Sequence, residues 1–143
     1  MKGVSPILSH STLLVIGIIA MGLIIVSIAD FLSDTEETLT TLELNYMANT
    51  LKTNLLKIYS VANSSSDSVN GKFQIPVAEK IGSKRIYVEA DNNFLKIIAN
   101  LKNKKIEISR AINIDANVTG KVYLPAFFEL EKTGEDVSIR LVE

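Results

Sequence analysis

His10 is the only histidine of the chain and stands between Ser9 and Ser11. A nucleophilic triad would need an acid to orient its imidazole, and a metal site would need further ligands close by. The flanking serines supply neither, so His10 reads as a polar residue at an interface. Asp34, Glu36 and Glu37 look like paired carboxylates, but they follow an apolar run as solvated charge. Lys102, Lys104 and Lys105 form a basic tip that reads as a solvated turn. There is no cysteine, which excludes disulfides, thiolate metal sites and cysteine nucleophiles. No nucleophile elbow, phosphate-cradling glycine loop or metal-ligand spacing occurs. The chain is therefore expected to be no enzyme and to hold no cofactor or metal. Fifteen basic against sixteen acidic residues leave no field that would select nucleic acid. One chemical signal remains. Asn63-Ser64-Ser65 and Asn117-Val118-Thr119 are N-glycosylation acceptor triplets, and both fall in predicted loops.

The elements around these residues are more telling than the residues themselves. The chain has 143 residues, enough for one modest domain and an anchor. From Val4 to Ala29 there is no Asp, Glu, Lys or Arg, and Leu13–Ile28 is almost wholly Leu, Ile and Val. A bilayer core needs about 20 such residues. Eleven Leu, Ile or Val within 13–28 favour insertion by about 5 kcal/mol. Lys2 precedes the run, while Asp30, Asp34, Glu36 and Glu37 follow it. That asymmetry predicts an inside N-terminus and an outside C-terminal part. Ser27-Ile28-Ala29 has the small-x-small form that a signal peptidase cuts. The apolar region is longer than the usual 7–15 residues of such a signal, however, and its basic region is minimal.

Ser5-Pro6 reads as a helix start, with serine as N-cap and proline where its missing N–H costs nothing. No proline follows until Pro76. Apolar side chains continue at helical spacing through Ile28, Leu32, Leu39, Leu42 and Tyr46, with Thr35 in the place of one. A second, slightly rotated stripe follows: Leu44, Met47, Leu51, Leu55, Ile58 and Ala62. These gaps predict one amphipathic helix from Pro6 to Ala62. Thr35, Thr38, Thr40 and Thr41 lower its intrinsic propensity, as do Gly17 and Gly22, so packing must hold it.

The stretch from Asn63 to Gly71 reads as a polar, helix-breaking loop. Strands are predicted at 72–77, 85–90, 94–99, 105–110, 121–124, 127–131 and 137–142. Gly82-Ser83, Asp91-Asn92-Asn93, Asn103, Thr119-Gly120 and Thr133-Gly134 supply the turns between them. Ile86, Val88 and Ala90 alternate with Arg85, Tyr87 and Glu89, as in a strand with one buried and one wet face. The fold class expected is α+β: a long N-terminal hydrophobic and amphipathic helix, then a small antiparallel β-rich head, as one sheet or a sandwich. Residues 44–62 are expected to cover an open face of it.

Lys2-Gly3-Val4-Ser5-Pro6, the hydrophobic stretch through Ile28, the amphipathic extension and the β-rich head together resemble archaeal type IV pilin-like proteins. In that family a prepilin (class III signal) peptidase cuts just before the hydrophobic helix. The resemblance implies cleavage between Gly3 and Val4, with the helix retained. It also implies a leader at 1–3, a membrane or filament-core helix at 4–29, an amphipathic extension at 30–62 and an extracellular head at 63–143. Bacterial relatives carry a glutamate at the fifth mature position, where this chain has Leu8. The partners implied are copies of the chain or other pilin-like subunits, the peptidase, and membrane lipid before assembly. Leu13, Ile16, Gly17, Ala20, Gly22 and Ile24 are the candidate helix-assembly residues, the small ones permitting close approach. The expected function is a structural subunit, major or minor, of a pilus-like or archaellum-like filament, serving adhesion or surface attachment. The alternative is a single-pass anchored protein whose external domain binds an envelope or archaellum component without polymerising.

Overall fold

The computed structural model describes residues 4–101 and 104–143, with side chains from residue 10 onward. One helix, α1 (Val4–Ser64), is followed by eight strands. They are β1 (Val69–Gln74), β2 (Lys80–Ile81), β3 (Lys84–Asp91), β4 (Phe94–Asn100), β5 (Lys105–Ala111), β6 (Asn117–Tyr123), β7 (Phe127–Thr133) and β8 (Asp136–Val142). This is the expected α+β class. The chain divides into two compact units, one ending at Thr38 and the other comprising Leu39–Glu143.

In the first unit all described side chains from His10 to Asp34 are exposed. Its helix is held by backbone hydrogen bonding, and its hydroxyls join that ladder. Ser27 Oγ donates to the Leu23 carbonyl at 2.9 Å, Thr35 Oγ1 to that of Phe31 at 2.8 Å and Thr38 Oγ1 to that of Asp34 at 2.9 Å. The β-branched threonines thus have their polar atoms satisfied locally, which offsets part of their low helix propensity.

The second unit is built on one mostly antiparallel sheet, in the order β1-β7-β8-β6-β3-β4-β5, with β2 paired to β3. Alternation decides which face is buried. Ile86, Val88 and Ala90 of β3 point inward with Leu95, Ile97 and Ala99 of β4 and Val137, Ile139 and Leu141 of β8. They share one hydrophobic core with Leu44, Met47, Leu51, Leu55, Ile58 and Ala62, so the predicted second stripe of the helix is the one that covers the sheet. The two stripes are not slightly rotated from each other. Leu42 is 60% exposed and Leu44 fully buried, because a step of two residues turns the helix by about 200°. The stripe through Leu39, Leu42 and Tyr46 therefore lies on the side of the helix turned away from the sheet.

Three further departures have physical causes. The helix runs to Ser64, two residues beyond the predicted end, because Lys132 reaches in from β7. Its ammonium donates to the Ser65 carbonyl at 2.5 Å and to the Ala62 carbonyl at 2.9 Å, the latter also accepting from the Ser65 N–H at 3.2 Å, so the acceptors at the helix end are met. Strand β1 begins at Val69, inside the predicted loop, where the Phe73 ring lies over Gly71 and fills the place of a side chain. Strand β6 begins four residues earlier than expected and pairs β8 in parallel through Asn117–Thr119, then β3 in antiparallel sense through Gly120–Tyr123. Gly120 is the hinge of that exchange. Its φ is +137°, and a Cβ there would lie 2.6–2.8 Å from Leu141 Cβ and backbone. The short strand β2, which pairs Lys80 with Arg85, was not foreseen.

Candidate assembly surface

Between Leu13 and Val26 the helix of the first unit is apolar on every side, and the structure leaves those side chains exposed. Leu13, Ile16 and Ile24 are each more than half exposed. A Cβ placed on Gly17 or Gly22 would meet nothing within 4 Å. At about 100° per residue, Leu13, Ile16, Gly17, Ala20 and Ile24 fall on one face, whereas Gly22 lies on the opposite side. The six candidate assembly residues therefore serve two faces rather than one. Among the described residues, the helix from His10 is long and apolar enough to cross a membrane, and its most apolar window has no part buried. Gly3 and the side chain of Val4, the expected cleavage point, lie outside the described residues, as does Lys102 of the basic tip.

The second unit carries an apolar surface of its own. A groove of about 760 Å³ opens between the helix at Leu42, Tyr46 and Met47 and the segment Ile75–Ala78, with Lys80 and Ile81 at its border. Tyr46 is 73% exposed, the most open large hydrophobic residue among the described ones. Sequence reasoning placed Leu42 and Tyr46 on an apolar stripe but did not connect them with Pro76 and Val77. The only available signal was Pro76, which ends the strand pattern and turns the chain back beside the helix.

On the sheet's outer surface, charge is arranged in pairs along and across strands. Lys105 meets Glu107 at 3.0 Å and Lys96 meets it at 3.6 Å. The hydrogen bond and charge of Lys105, with a smaller contribution from Lys96, hold the Glu107 carboxyl below its ordinary value against a slight opposing effect of burial. Lys121 lies 3.9 Å from Glu89, and its ammonium sits 5.1 Å from the centroid of the Tyr87 ring. Arg110 on β5 donates to Asn45 Oδ1 at 2.6 Å and to Asn49 Oδ1 at 2.9 Å, pinning the helix flank to the sheet. These are structural contacts on exposed or half-buried surfaces.

Other residues singled out from sequence are dispersed. His10, Asp34 and Glu36 are exposed, and Glu37 is half-buried. Among the described residues, no group of three or more His, Cys, Asp or Glu is placed to hold a metal ion. Neither glycosylation triplet lies in a loop, contrary to expectation: Asn63 is in the last turn of α1 and Asn117 opens β6. Both asparagines are exposed, and Thr119 points outward while Val118 between them is buried.

Comparisons with protein-family models, curated proteins and solved structures gave no match. The architecture, a long N-terminal apolar helix followed by a β-sheet unit, is compatible with that of pilin-like proteins.

Proposed function

We propose that this chain is a structural subunit, major or minor, of an archaeal type IV pilus-like or archaellum-like surface filament, assembled through its N-terminal helix. The observation that carries the reading is the helix surface from Leu13 to Val26, apolar on all sides and exposed, with no cover among the described residues. Such a surface requires lipid or other apolar helices, because a soluble monomer rarely exposes more than a few hundred Å² of contiguous apolar area. A membrane-stored subunit exchanges lipid contacts for contacts with identical helices, and head-to-tail contacts that do not close give an open filament. The prepilin peptidase processes the chain between Gly3 and Val4, and the β-rich unit faces outward for adhesion or attachment. Glycans on Asn63 or Asn117 would extend from that outer surface.

A second reading is a single-pass anchor with an external binding domain. It draws support from the length of the uncharged run, Val4 to Ala29, which a bilayer alone satisfies. N-terminal sequencing of the mature protein, before and after shearing of surface filaments, separates the two. The filament reading expects Val4 as first residue and the chain in the sheared fraction. An intact Met1 or Lys2, with all the protein left in the membrane, overturns it.

A further inference from the structure

The groove beside Leu42 and Tyr46 lacks a cover for a different reason from the rest of the helix. Leu39, Leu42 and Tyr46 come after Asp30, Asp34, Glu36 and Glu37, beyond the twenty or so residues that a bilayer core takes. Lipid is therefore not their natural cover. The chain's own sheet is not their cover either, since it occupies the other side of the helix through Leu44, Leu51 and Leu55.

Lys80, at the border of the groove, belongs to an unusual charge arrangement. Lys80 and Arg85 are direct cross-strand partners, and both are exposed. Like charges placed opposite each other, with Cβ atoms about 5 Å apart, destabilise a strand pair unless an anion relieves them. Among the described residues neither is ion-paired: Glu79, next in sequence, and Glu43, which lines the groove as Lys80 does, pair with neither.

A matching surface exists on the same chain. On a helix turning about 100° per residue, Ile16, Ile19, Leu23, Val26, Asp30 and Asp34 share one face. It is an apolar strip ended by two carboxylates one turn apart, at Cβ separations of about 5–6 Å. All six side chains are exposed, and among the described residues Asp30 and Asp34 are not ion-paired. The spacing of the two acids suits that of the two cations, and the strip ahead of them suits the apolar groove.

We propose that the groove formed by Leu42, Tyr46, Ile75, Pro76 and Val77 receives the Ile16–Val26 face of a second copy of this chain, whose Asp30 and Asp34 pair with Lys80 and Arg85. This rests on the filament reading and names the contact by which one subunit's β-rich unit grips the next subunit's helix. The contact is heterologous, so each copy offers both halves and the association does not close on itself.

The absence of cysteine allows a clean cross-linking test on the full chain. Two tagged copies are co-expressed, one carrying Tyr46→Cys and the other Leu23→Cys or, as the opposite-face control, Ile25→Cys. Oxidation in membranes and in sheared filaments should give the mixed Tyr46–Leu23 disulfide at least fivefold above the Tyr46–Ile25 one. Lys80→Glu with Arg85→Glu in the first copy should abolish that product, and Asp30→Lys with Asp34→Lys in the second should restore it. Equal yields from both pairs, no mixed product, or Tyr46→Cys captured only by another protein would overturn the proposal. Ala20→Cys alone serves as the helix-to-helix control. If it self-links and the chain is found in filaments while the Tyr46–Leu23 pair stays silent, the groove proposal falls and the filament reading stands. If Ala20→Cys also stays silent and no filament contains the chain, both fall.

Discussion

Leu32 and Leu55 belong to the same helix, yet one is 60% exposed and the other fully buried. Their intrinsic helix propensities are identical, and each follows an apolar residue one turn earlier, Ile28 and Leu51. What differs is the partner. Leu55 and the five stripe residues with it meet the inward side chains of β3, β4, β6, β7 and β8, where burying each large apolar side chain stabilises the fold by about 1.5–3 kcal/mol. Among the described residues, Leu32 and the side chains before it are exposed. The second half of the helix is thus an ordinary layer of an α+β domain, held by its sheet, while the first is a surface whose stabilising partner must come from outside. Hydropathy alone does not divide the two; the division comes from whether the sequence also encodes something to cover the stripe.

If the β-rich unit stands on its own core, its worst defects should leave the first half of the helix untouched. The largest effect is expected from Gly120→Val. It forces a side chain into a positive-φ position against the backbone of Leu141, at a cost of about 3 kcal/mol or more. Circular dichroism in detergent should show lost strand signal with helical signal from residues 10–38 retained, and membrane insertion should persist. Next comes the direct contrast. Leu51→Ala should lower stability by about 2–5 kcal/mol in a urea titration followed by strand signal, whereas Leu23→Ala should leave that titration unchanged. Equal losses from the two would dissolve the distinction between the halves. Lys132→Met keeps the aliphatic stem but removes the ammonium that donates to the Ala62 and Ser65 carbonyls, at a cost of about 1–3 kcal/mol. Hydrogen exchange should show faster opening confined to the end of α1. The smallest effect is the response to acid. Because the folded state holds the Glu107 carboxyl below its ordinary value, its ion pairs stabilise the fold above pH 4.5 and that contribution fades as pH falls further. Glu107→Gln should remove this part of the pH dependence of melting, and an unchanged profile would show that the exposed pairs contribute nothing measurable.

Much of this architecture could be read from side-chain period. The buried stripe from Leu44 to Ala62 and seven of the eight strands follow from spacings of three to four and of two. Features set by long-range partners escaped it. Lys132 looks like one more charge on an alternating strand, and only the fold brings it under the end of a helix 70 residues away. The polar run Val69-Asn70-Gly71 has the composition of a loop, yet it is an edge strand because β7 offers it a ladder and Phe73 covers the glycine. Thr119-Gly120 was read as a turn, although the glycine instead lets one strand change partners. The groove was hidden for the same reason: Tyr46 and Pro76 are thirty residues apart, and no local pattern joins them.

The hydroxyls of Ser27, Thr35 and Thr38 bear on how such a helix changes surroundings. Each already donates to a carbonyl one turn back, so none requires a donor or acceptor from whatever lies alongside. A polar group bonded to a neighbour must break that bond before the neighbour can move, and each such bond adds to the barrier. Hydroxyls satisfied within their own helix add no such barrier as it moves past lipid chains or sister helices. On the filament reading proposed above, transfer out of the bilayer, and the return, would be a matter of exchanging dispersion contacts one turn at a time.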